Sequence, residues 1–110
     1  MKIENSKYYK QMEEAISEIA SSYFVSRRMI LIKENSLSSG EVDYYNPYYL
    51  YIDRVNQTFM KLSNLDKEVL YNEFFYPNEK NWWIPFYDKK HFISMKVKAM
   101  KNFLRVYNEI

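Results

Sequence analysis

DKKHFISMKVKAMKNFLRVYNEI closes the chain, residues 88–110, and its periodicity decides the fold. Phe92, Met95, Ala99, Phe103, Val106 and Ile110 recur at helical spacing. Ile93, Val97, Met100, Leu104 and Tyr107 lie beside them. At about 100° per residue the two sets merge into one broad apolar arc. Lys90, Ser94, Lys98, Lys101 and Arg105 fall on the opposite side, and no acidic residue occurs between Lys89 and Asn108. The stretch therefore predicts a helix with a buried face and a basic face, capped by Asp88. A basic face on a surface helix is most often simply solvated, so the rest of the chain must show whether it has a partner.

Working outward, the charge is unevenly placed. Residues 1–88 hold 10 Lys/Arg and 13 Asp/Glu, a balance of −3; residues 89–110 hold 6 Lys/Arg and one Glu, a balance of +5, which together give the net +2. Such asymmetry predicts a local contact with a polyanion. With 110 residues the chain is long enough for one core, and its 47% hydrophobic and 19% aromatic content argues against disorder. There is no Cys and only one His. Thiolate sites, multi-His metal sites and His-based triads are therefore not expected. Residues 1–10 lack the apolar core of a signal peptide, and no apolar run is long enough to span a membrane. A soluble cytoplasmic protein with no cofactor is expected.

The remaining elements also read as helices. Residues 1–5 are expected to be loose. Tyr8, Met12, Ala15, Ile16, Ile19, Tyr23 and Phe24 keep one stripe within a long N-terminal helix, with Glu13, Glu14 and Glu18 off it. The pattern blurs at Val25–Arg28, where a bend is expected, and resumes through Ile32. Arg27 and Arg28 are weighed as phosphate contacts against a solvated face, and the latter is favoured. Asn35–Gly40 contains the only Gly and reads as a linker. Asn46–Pro47 opens the next helix with a cap and a proline at the first helical position. Its stripe is Tyr48, Tyr51, Ile52, Val55, Phe59 and Leu62. The tyrosines at 44, 45, 48, 49 and 51 are read as packing residues in preference to a base-stacking platform. Ser63 with Asp66 has capping-box spacing and starts a helix over about 65–75, with Leu65, Val69, Leu70 and Phe74 inward. Pro77 ends it. A short element at Trp82–Ile84, interrupted by Pro85, precedes the final helix. The prediction is an all-α, single-domain helical bundle: a long helix within 1–35, a second over 46–63, and a helix-turn-helix-like unit over 64–110.

The wording of that last unit, LSNLDKEVLYNEFF (62–75), WW (82–83) and YDKKHFISMKVKAMKNFLRVY (87–107), resembles the C-terminal helix-turn-helix of sigma factors, region 4. It is more similar still to ArpU-type phage transcription regulators, and it shares Lys, Asn and Tyr usage with a family of small mollicute proteins. The resemblance implies a DNA-binding transcription regulator with residues 88–108 as its recognition helix. It puts Lys89, Lys90, His91, Ser94 and Lys98 at the DNA-facing start of that helix, and Lys101 and Arg105 continue the basic face. Pro85, and a turn without Gly, depart from the family pattern. Double-stranded DNA is the expected partner, with RNA polymerase or a second copy of the chain beside it. The competing expectation is a helical protein-interaction module whose basic stripe is masked by the acidic N-terminal helix. An enzyme is not expected, because Asp66, Glu68 and Glu73 have neither a partner His nor a Gly-rich phosphate loop.

Overall fold

The computed structural model describes residues 2–36, 46–77 and 79–110, with 34–36 as backbone only. Its elements are a 3₁₀ turn at Ile3–Asn5, α1 at Lys7–Ser36, α2 at Pro47–Met60, α3 at Asn64–Leu70 continued by a π turn at Tyr71–Phe75, and α4 at Lys89–Glu109. The described residues form a small all-α bundle. Most of the linker expected over 35–40, together with Tyr44 and Tyr45, lies outside the described residues.

α1 starts where Ser6 Oγ accepts the N–H of Tyr9 at 3.1 Å. It then runs as a single helix through Val25–Arg28. Its inward line is Tyr9, Met12, Ile16, Ala20 and Tyr23, spaced three and four residues apart as one helical face requires. Tyr8, expected in that stripe, is instead exposed, since Tyr9 takes the inward position one residue later. Residues 3–5 are not loose: Glu4 reaches Lys89 at 3.6 Å and fixes the N-terminal turn to the start of α4.

α2 is capped as the sequence predicts, with Asn46 Oδ1 accepting the Tyr48 N–H at 2.8 Å and Pro47 at the first position. Val55, Thr58 and Phe59 are buried, followed by Leu62. α3 is capped by Ser63, whose Oγ accepts the Asp66 N–H. Asp66 does not complete a capping box. It is buried, and its Oδ2 accepts from Asn102 Nδ2 on α4 at 2.8 Å. Leu65, which the sequence pattern places inward, is 44% exposed.

The π turn after Leu70 is closed by the Tyr76 N–H donating to Tyr71 O at 2.6 Å. A π turn takes in one residue more than an α turn. Phe75 accordingly occupies the inward place expected of Phe74, and it is fully buried among Tyr23, Phe59 and Phe103 at ring separations of 4.8–5.9 Å. Pro77 follows. The short element at Trp82 takes the form of consecutive turns over 80–86, with the Ile84 N–H donating to Asn81 O and the Phe86 and Tyr87 N–H groups to Trp83 O. Asn81 adopts a positive φ of 60°, which Asn tolerates better than most residues. α4 therefore packs against α3 directly. The ties Asp66–Asn102 and Glu73–Lys96 run in opposite order along the two helices, which are antiparallel. The ties Glu4–Lys89 and Glu13–Lys96 run in the same order, so α1 and α4 share a direction.

Candidate nucleic-acid interface

Two chemically opposite faces of α4 define the candidate site. The inward face buries Phe92, Met95, Ala99, Met100, Phe103 and Val106, matching the arc read from the sequence. It also buries Lys96, which sequence reasoning left out of the site and which is only 7% exposed. The Lys96 Nζ sits 2.8 Å from Glu13 Oε2 and 3.1 Å from Glu73 Oε1, with the rings of Tyr9 and Phe74 at 5.3 and 5.4 Å. Trp82 Nε1 donates to the other oxygen of Glu73 at 3.1 Å. Burial alone would lower the pKa of this ammonium. Hydrogen bonds to Glu13 and Tyr9 and the charge of Glu73 more than reverse that, and the group ends above an ordinary lysine. Lys96 is thus a structural cation joining α1, the π turn and α4.

The outward face is different. Lys90, Ser94, Lys98, Lys101 and Arg105 are all exposed. At 100° per residue they fall within an arc of about 80°, and they extend over roughly 22 Å of helix. Lys90 and Lys98 form no ion pair among the described residues. Arg105 has only a loose contact to Glu109 at 3.9 Å, and Lys101 Nζ lies 5.8 Å from the Tyr8 ring. His91, at the edge of the arc, stacks on Tyr87 at 5.6 Å. Lys89 falls off the arc toward Glu4. Of the seven predicted site residues, six therefore lie together and Lys89 is turned away. Leu65, Asp66, Asp88, Lys90, His91 and Lys98 line an open groove between α3 and α4.

Asp88 caps α4, its Oδ1 accepting the His91 N–H at 2.7 Å. The first turn itself holds no acid; it begins Lys89-Lys90-His91. Positive charge at a helix N-terminus opposes the macrodipole by about 0.3–1 kcal/mol per group. Stability alone does not favour this arrangement, whereas an anion brought to that end would relieve it. At the other end Arg54 Nε and Nη2 donate to Tyr107 O at 3.2 and 2.9 Å, with the guanidinium 4.0 Å above the Tyr107 ring.

Comparison with protein-family models, with curated proteins and with solved structures finds no match to this chain.

Of the other cationic and aromatic candidates, Arg28 and Tyr48 are exposed, and Arg27, Tyr51, Trp82 and Trp83 serve packing. Arg27 Nη1 donates to Tyr76 Oη at 3.1 Å and lies over Tyr23. Tyr51 donates to Ile19 O, and burial pushes its pKa up to about 12. Trp82 is held by Glu73, and Trp83 stacks on Phe92 at 4.6 Å. Among the described residues no group of three or more His, Asp or Glu side chains is arranged to hold a metal. No helix among them is long and apolar enough to cross a membrane.

Proposed function

We propose that the protein is a DNA-binding transcription regulator whose contact surface is the outward face of α4. One observation carries this reading. The basic stripe is exposed, and none of the acids that reach α4 from other elements pairs with it among the described residues: Glu13 and Glu73 hold Lys96 at the inward face, Asp66 holds Asn102 and Glu4 holds Lys89. The cation-rich first turn of α4 supports the same reading, as does the resemblance to sigma-region-4-like and ArpU-type regulators. Phosphate neutralisation by Lys90, Lys98, Lys101 and Arg105 supplies affinity that falls with salt. Ser94 and His91 are the side chains of the stripe suited to base edges.

The test is a salt titration of wild type and the Lys98→Ala/Lys101→Ala double variant on duplex DNA. The wild type should bind at low salt, and its log–log salt slope should fall by about 0.9 for each phosphate contact removed. Absence of binding at low salt, or identical slopes, defeats the proposal.

A second reading, a protein-interaction module, is favoured by one feature. Val25, Leu31 and Ile32 on the second half of α1 are more than half exposed. That apolar surface suits a second copy of the chain or a surface of RNA polymerase. A monomer in light scattering at high concentration would count against the homodimer.

A further inference from the structure

Two exposed aromatic rings flank the basic stripe, and packing does not account for either. Phe86 is 70% exposed, on the turn immediately before α4. Tyr8 is 59% exposed, on α1, with Lys101 Nζ at 5.8 Å from its ring. The mount of Phe86 is fixed: its N–H and that of Tyr87 both donate to Trp83 O at 2.9 Å, and Trp83 is stacked on the buried Phe92. Phe86 leads into a row of rings, at 6.3 Å to Tyr87 and from Tyr87 at 5.6 Å to His91, which borders the stripe.

A ring held in water by a rigid turn gains by burial, and it loses little conformational freedom when covered. The neighbouring charges select the cover. Beside a track of lysines the matching ligand carries phosphates and flat apolar faces together. In a duplex those faces are already stacked on one another; in a single strand they are available. We infer that the α4 stripe takes single-stranded nucleic acid, its backbone along Lys90, Lys98 and Lys101 and its unpaired bases on Phe86 at one end and Tyr8 beside Lys101. Within α4 the cations from Lys90 to Arg105 extend over roughly 22 Å at 1.5 Å per residue, a track suited to the low end of single-strand site sizes, about four nucleotides. This rests on the reading of α4 as a nucleic-acid surface and narrows its ligand to exposed bases, as in a melted or single-stranded segment.

The experiment compares short oligo-thymidine with a duplex of equal length by fluorescence anisotropy, using the full chain and the Phe86→Ala and Tyr8→Ala variants. Both side chains are exposed, so both variants should fold, which circular dichroism checks. The single strand should bind more tightly than the duplex at the same salt. Each substitution should weaken single-strand binding about 5-fold or more, the effect of one lost base stack, and leave duplex binding unchanged. A duplex preference, or single-strand affinity indifferent to both substitutions, overturns this inference while leaving the proposed function standing. No binding to either nucleic acid at low salt overturns both.

Discussion

Lys96 and Lys98 stand two residues apart on one helix and have opposite roles. Lys98 is exposed and forms no ion pair among the described residues, so Lys98→Ala should change stability by less than about 1 kcal/mol. Lys96 neutralises two carboxylates that would otherwise be left together under Tyr9 and Phe74. Lys96→Ala should cost about 3–5 kcal/mol, the range for breaking a buried ion pair from one side. Urea unfolding of the two variants checks both values. Removing all three charges with apolar side chains of similar volume should recover much of the loss. Position 96 shares a helical side with Phe92 and Ala99, but the apolar pattern alone leaves a lysine there unread. Its role was not legible either, because its partner Glu13 lies 83 residues away in the chain, and helical periodicity carries no information across that separation.

At the scale of elements, capping chemistry was read directly from the sequence. Ser63, Asn46 and Asp88 each accept the N–H that local pattern assigns them. Such bonds involve neighbours two or three residues apart, which is why they are visible without tertiary structure. The errors of reading fall where tertiary contacts override the local pattern. Asp66 is drawn inward by Asn102, and Leu65 is exposed. The π turn moves the inward register from Phe74 to Phe75. Tyr51, read as a packing residue, does pack, as do the tandem tryptophans, whereas Tyr48, Phe86 and Tyr8 remain exposed. Asp88 gives the sharpest test at this scale. It is the nearest acid to a first turn of Lys89, Lys90 and His91. Asp88→Ala should cost about 1 kcal/mol, and should lower Tm by about 4 °C in a chain of this size. Asp88→Asn keeps the accepting oxygen and should recover part of that loss; the remainder measures the charge.

The whole molecule is held by an apolar core into which several tyrosines and one ammonium are drawn, and these groups make alkaline pH its weak side. Burial raises the pKa of Tyr9, Tyr23 and Tyr71 above the ordinary value, and takes Tyr51 to about 12. Lys96 is also raised. In each case the folded state holds its proton more tightly than the unfolded chain. Below about pH 10 both states are protonated and the stabilisation is complete. Above it the unfolded chain releases protons that the folded protein keeps, so stability falls as pH rises. Urea midpoints should therefore be nearly unaffected by these groups between about pH 7 and 9, and should drop steeply beyond about pH 10. Loss of helical circular dichroism should coincide with a rise in tyrosinate absorbance, as the buried phenols ionise on unfolding. Tyr51→Phe separates the contributions. It removes the hydrogen bond to Ile19 O, costing about 1 kcal/mol at neutral pH, and it also removes a titrating group. The variant should start less stable yet lose less between neutral and alkaline pH than the wild type. Equal losses in the two proteins would assign the alkaline transition to Lys96 and the other tyrosines.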